Sequence, residues 1–170
     1  GSSSAVRSND RGSPKDQAAA FLYKDMHGTL IIPQPNLLRC LIDAGKYFKA
    51  GKTKITTAQS SLIPGCVSIP VLAVPLIHKD PWTVDTRAVR NPSTGGRFPA
   101  HRPVFNDWQL KFEVELDDSV ISAKIFREIV DCAGQRIGLG AFRPDRKGPF
   151  GRFKVTHWSV VDPSALQAAE

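Results

Sequence analysis

The sequence predicts a mixed α+β domain, with an antiparallel sheet carrying two helices on one face. Three observations carry this expectation. Residues 37–49 and 121–133 each place apolar side chains at helical spacing, so each has one apolar face. Residues 108–116 alternate apolar and charged side chains, as a strand with one buried face does. The remaining apolar runs are strand-sized and end at proline or glycine, which suits antiparallel pairing through turns.

Residues 1–16 are rich in Ser, Gly, Asn and charge. They read as a flexible arm or a cloning remnant opening with Gly-Ser-Ser-Ser, without the charged and apolar regions of a secretory signal. One domain is expected over 17–163, with a frayed tail at 164–170. Residues 21–24 and 29–32 flank Asp-Met-His-Gly, where Gly28 supplies the turn of a β-hairpin. Pro33 and Pro35 stop that strand, Asn36 is placed to cap the first long helix, and Gly51 to end it. Runs 66–69 and 71–77, broken by Pro70 and Pro75, suit edge strands. Residues 79–103 hold Trp82, four prolines, Gly95-Gly96 and four arginines, and read as a long polar loop insertion. Beyond the 108–116 strand, Asp117-Asp118-Ser119 offers turn and cap chemistry. A helix with Ile121, Ile125, Phe126, Ile129, Val130 and Ala133 on its apolar stripe then ends at Gly134. A glycine-rich loop over 138–153 leads to a last strand at 153–160. With a first strand upstream of Phe21 or in the arm, the order is strand, helix, strand twice over, the ferredoxin-like order, here with long basic loop insertions. Trp82, Trp108 and Trp158 read as packing residues.

The chain is 41% hydrophobic and 23% charged, the composition of a water-soluble globular domain. No apolar run approaches the roughly 20 residues of a membrane-spanning helix, so no membrane partner is expected. Cys40, Cys66 and Cys132 are odd in number and lack metal-ligand spacing. They read as core thiols in a reducing cytoplasm, with no disulfide framework.

Lys and Arg outnumber Asp and Glu by 23 to 16, for a net charge of +7. Segment 46–54 holds Lys46, Lys49, Lys52 and Lys54 with no acid, and segment 87–102 holds Arg87, Arg90, Arg97 and Arg102 with no acid. Segment 136–154 holds Arg136, Arg143, Arg146, Lys147, Arg152 and Lys154 against Asp145 alone. Such local excess, gathered on one surface, is the footprint of a polyanion partner. In the 138–153 loop, glycines leave backbone N–H groups approachable and arginines match phosphate oxygens bidentately, while Phe142 and Phe150 offer stacking faces for bases. The alternative is a glycine-rich loop shaped by packing, with solvated arginines. It is not a P-loop, since no Gly-Lys-Ser/Thr follows the glycines.

Catalytic signals are weak. His27, His78, His101 and His157 show no zinc spacing, and no Ser or Cys sits in a nucleophile elbow. His27 beside Asp25, and His101 beside Arg102, are conceivable acid–base groups for metal-free RNA cleavage. No catalytic residue, metal or cofactor is assigned.

Gly28-Thr-Leu-Ile-Ile-Pro33 followed by Asn36-Leu-Leu-Arg39 resembles the Ile-Pro segment and basic helix of the RAMP superfamily, the backbone and crRNA-processing subunits of CRISPR effector complexes. Ala133-Gly134-Gln-Arg-Ile-Gly138, then Gly148-Pro-Phe-Gly151-Arg-Phe-Lys-Val155, is similar to that superfamily's last helix, glycine-rich loop and strand. The stretch 23–155 is also similar to small RAMP-like proteins of phage and mobile-element origin. The resemblance implies an RRM-related core, RNA or single-stranded DNA binding, and head-to-tail assembly with other copies or effector subunits. It assigns Arg39 and loop 148–154 to nucleic-acid contact.

Overall fold

The protein is described by a computed structural model covering residues 12–161. In chain order it comprises α1 (Pro14–Ala19), β1 (Ile31–Pro33), α2 (Gln34–Ala44), β2 (Lys49–Ala50), β3 (Thr53–Lys54), α3 (Ile63–Cys66), β4 (Val67–Ser68) and β5 (Ala73–Pro75). There follow β6 (Ile77–His78), β7 (Thr83–Arg90), β8 (Arg97–Val104), β9 (Trp108–Gln109), β10 (Glu115–Leu116) and α4 (Ala123–Cys132). The architecture is mixed α/β with small antiparallel sheets. The continuous sheet of a ferredoxin-like fold is not formed among the described residues, where strands pair only in twos. Most strands are two or three residues long, and Pro33, Pro70 and Pro75 cut the apolar runs before a third neighbour can pair. The chain gathers into two compact units, one of residues 12–33 and 71–112, the other of 34–70 and 113–161. The expected arm at 1–11 and tail at 164–170 lie outside the described residues. Residues 12–16 do not continue an arm, because Ser13 and Asp16 form a capping box that starts α1.

The second unit holds a packed core. On α2, buried Leu37, Cys40, Leu41 and Ala44 recur at helical spacing. On α4, Phe126 and Ile129 face inward, joined by Ile55, Ile63, Ile69, Ile121 and Ile137. Burying each large aliphatic side chain stabilises the fold by about 1.5–3 kcal/mol. Both long helices stand where expected, but their ends differ. Helix α2 begins at Gln34 rather than being capped by Asn36, and stops at Ala44, where buried Gly45 packs on Ile55 and Thr56. A tight turn over Gly45–Tyr47 follows, and Gly51 turns the small β2–β3 hairpin instead. Helix α4 is capped by Ser122, whose Oγ accepts from Ile125 N at 3.2 Å, not by the acidic turn before it. It continues through a wider turn, Ala133–Ile137, past Gly134. A Cβ at Gly134 would run into the carbonyl of Phe153, so this glycine admits a crossing chain and does not end the helix. That chain, 153–160, was expected as a strand. No strand forms over these residues; Phe153 N donates to Gly134 O at 3.0 Å.

The first unit is built on ribbons. The Asp25–Gly28 turn forms as expected, and β1 pairs with β5. The 79–103 segment, expected as a loop, contains the longest regular β structure, the β7–β8 hairpin in register from Thr83↔Val104 to Arg90↔Arg97. Asn91 N donates to Gly96 O at 2.8 Å. Bond-exchanging pairs therefore recur at Val89–Phe98, Arg87–Ala100 and Asp85–Arg102. Pro99 and Pro103 fall on the alternate positions, where a strand needs no N–H toward its partner. The 108–116 strand is reduced to β9 and β10, one in each unit, with irregular chain between.

Candidate nucleic-acid interface

Two of the three basic segments meet in the second unit. The turn ending α2 presents Tyr47, a half-exposed ring with Lys46 Nζ 5.3 Å and Arg136 Cζ 5.1 Å from its centroid. Lys46 comes from the Gly45–Tyr47 turn and Arg136 from the wide turn after α4, so packing of these two helix ends creates the cluster. Lys46 also reaches Asp145 Oδ1 at 3.3 Å. Burial works against the Lys46 charge, but the hydrogen bond and charge of Asp145 outweigh it and raise the ammonium's pKa. Tyr47 was not singled out in the sequence. Its signal was present as an aromatic residue flanked by Lys46 and Lys49, but nothing local places Arg136 on it.

The glycine-rich loop continues from this cluster. Phe142 and Phe150 meet edge to face, with centroids 6.0 Å apart. Arg143 donates to Gly140 O at 3.0 Å. Arg146, Lys147 and Arg152 are exposed and have no carboxylate within ion-pair distance among the described residues. Lys147 adopts φ +65°, the one described non-glycine residue in the left-handed region, at a cost of about 1–2 kcal/mol. The loop's own chemistry differs from the expected one. Gly151, at φ +78°, lies where a Cβ would strike the Leu139 carbonyl, and Leu139 N donates to Gly151 O at 3.0 Å. Gly148 N donates to Arg143 O and Gly138 N to Ala133 O, so these amides are committed inside the loop rather than turned to a ligand. Close packing accounts for Gly138, Gly148 and Gly151, whereas a side chain at Gly140 would meet nothing within 4 Å; the exposed charged and aromatic side chains of the loop are Arg146, Lys147, Phe150 and Arg152.

The other expected residues are distributed. Arg39 pairs with Asp43 at 3.4 Å on exposed helix surface. Lys49 stands opposite Lys54 across the β2–β3 hairpin. Arg87, Arg90, Arg97 and Arg102 all lie on the β7–β8 hairpin of the first unit. There Arg87 pairs with Asp85 at 2.8 Å, and the Arg102 guanidinium sits 4.5 Å from the Phe21 ring centroid.

Asp25 accepts from the backbone N–H groups of His27 and Thr29, holding the turn, and His101 Nδ1 is hydrogen-bonded to Thr86 Oγ1 at 2.8 Å. Cys40 is buried and its thiol donates to Gly138 O at 3.3 Å. Burial, reinforced by Asp43, pushes its pKa up to about 12, with Arg143 offsetting part of the rise. Cys66 is likewise raised, mainly by burial. An open hollow of about 340 Å³ is bounded by Cys66, Glu115 and Asp117 and includes none of the expected site residues. Among the described residues no three His, Cys, Asp or Glu side chains gather to hold a metal ion, and no helix is long and apolar enough to cross a membrane. No family model matches the chain, and neither a curated protein nor a solved structure shows significant similarity to it.

Proposed function

We propose that this chain binds the backbone of RNA or single-stranded DNA without cleaving it, as a cytoplasmic, RAMP-like subunit that assembles in several copies. One observation carries the reading. Half-exposed Tyr47 has Lys46 and Arg136 close to its ring, beside a loop whose exposed Arg146, Lys147 and Arg152 have no carboxylate partner among the described residues. Cations neutralise phosphates while aromatic faces stack on bases whatever their identity, the combination that sequence-tolerant single-strand binding uses. The RAMP relationship, and the RRM-related core it implies, rest on the motif residues 28–39 and 133–155.

Fluorescence anisotropy with a labelled single-stranded oligonucleotide tests this. Affinity is expected to fall with salt at a slope of about −0.7 per phosphate neutralised. Tyr47→Ala is expected to cost about 1–3 kcal/mol of binding, the usual worth of one stacked base. Absence of salt-sensitive binding to any RNA or DNA strand refutes the proposal.

A second reading, a structural assembly protein with no nucleic-acid role, is favoured by the exposed Phe21, Tyr23, Met26 and Leu72 of the first unit. It expects assembly in light scattering that is indifferent to oligonucleotide.

A further inference from the structure

We infer that the β7–β8 hairpin is a second interface, a cationic ribbon that enters the major groove of double-helical DNA. The inference rests on the nucleic-acid reading above but concerns a different unit and a different form of the ligand.

Register defines the faces. Arg90 and Arg97 are direct cross-strand partners, and Ala88–Pro99 and Thr86–His101 lie behind them on the same face. The Thr86–His101 hydrogen bond and the Arg87–Asp85 pair confirm that alternate residues point to opposite sides. Like charges directly opposite one another destabilise a ribbon. Among the described residues neither Arg90 nor Arg97 has a carboxylate to relieve the repulsion. An external anion would relieve that repulsion.

Shape selects the kind of anion. From Thr86 through Pro99 nearly every residue of the hairpin is exposed, so its distal half projects from its own unit. The turn, Asn91-Pro-Ser-Thr-Gly-Gly96, carries only small, uncharged side chains, and the residues behind the arginine pair are also slim. A turn without large apolar residues is unsuited to inserting into a lipid surface. A two-stranded ribbon fits the B-form major groove, about 12 Å wide, whereas the A-form RNA groove is too narrow to admit it. Each strand has eight residues, which at about 3.3 Å per residue span roughly 26 Å. That length lets the paired arginines reach phosphates flanking the groove.

The test compares Arg90→Glu/Arg97→Glu and the conservative Arg90→Lys/Arg97→Lys with the unaltered chain. The probes are a mixed-sequence DNA duplex of about 20 base pairs, roughly two turns, and a single strand of the same length. The Glu pair is expected to weaken duplex binding at least tenfold and to flatten its salt slope by about 2, near 0.9 per phosphate contact. The Lys pair should keep most of the affinity, and single-strand binding should stay within about twofold for both. Duplex binding that survives the Glu pair overturns the inference while leaving the single-strand reading intact. Equal loss on both probes also overturns it, since the arginines then act as general cations. If the same substitutions instead abolish capture on phosphatidylserine vesicles and spare duplex binding, the partner is a membrane surface and the inference falls. Binding to neither probe by the unaltered chain removes both readings together.

Discussion

The unit of residues 34–70 and 113–161 buries Ile55, Ile63, Ile121, Ile129 and Ile137 almost completely, whereas in the unit of 12–33 and 71–112 the fully buried apolar residues described are Ala18 and Val74. The first unit also leaves Leu72 at 75% and Met26 at 91% exposure. One unit is held by interlocking helix faces, the other by backbone pairing in two-stranded ribbons, which are marginal alone. Charges do not follow that division. Lys46, Arg39 and Arg127 have carboxylate partners in the cored unit and Arg87 has one in the ribboned unit, while Lys49 stands opposite Lys54 in the cored unit and Arg90 opposite Arg97 in the ribboned one. A unit with a core has free energy to spare for fixing a site. A unit without one is suited to surfaces that order on binding.

The sharpest test of this contrast is a matched pair of truncations. Ile129→Ala removes a wholly buried side chain and is expected to cost about 2–5 kcal/mol. Leu72→Ala removes an exposed one and should stay within about 0.5 kcal/mol. Urea titration reads both. Trp158 reports on the cored unit, and Trp82 and Trp108 on the other, through variants that keep one reporter each. Comparable losses for the two truncations would mean that Leu72 is buried in solution.

Alkaline pH probes the same division more gently, because all three cysteines lie in the cored unit. The Cys40 thiol is neutral in both folded and unfolded chains below its ordinary value of 9.0, and contributes nothing to pH dependence there. Above 9.0 the unfolded chain loses this proton while the folded one holds it to about 12. Over that window the unfolded state binds fewer protons, so stability falls as pH rises, with a slope approaching about 1.4 kcal/mol per pH unit. Cys40→Ala should flatten the decline by that amount in the Trp158 signal and leave the Trp82 and Trp108 signals unchanged. An unaltered slope would show Cys40 ionising as freely in the folded chain.

What the sequence made legible divides along the same line. Helices α2 and α4 were readable because apolar residues at helical spacing are a local signal, and the same faces form the core. Their ends were not, because Gly45 and Gly134 serve distant neighbours, Thr56 and Phe153. The β7–β8 hairpin was hidden by Pro99 and Pro103, which read as strand breakers until register puts them where no hydrogen bond is required. The reverse error occurred at 153–160, which was read as a closing strand although no strand forms there. At the candidate site, charge and aromatic composition pointed to Lys46, Arg136, Phe142 and Phe150. Tyr47 emerged only from the packing of one helix end on another.

The smallest expected effect is a difference in sign. Asp145→Asn removes the partner of Lys46 in an exposed pair whose side chains retain 43% and 25% of their accessibility, so screening limits the loss to about 0–1 kcal/mol. Arg90→Thr removes one of two facing cations and places a β-branched residue in a strand. It should therefore stabilise the hairpin by a few tenths of a kcal/mol, roughly the worth of a relieved cross-strand clash. Salt separates these effects from packing, since at about 1 M the Debye length falls to about 3 Å and the electrostatic part of both should vanish. The β-propensity gain of Arg90→Thr should then remain alone. If Arg90→Thr destabilises at low salt, the arginine is already neutralised within the folded chain, and the cationic face of the ribbon has no vacancy for an anion.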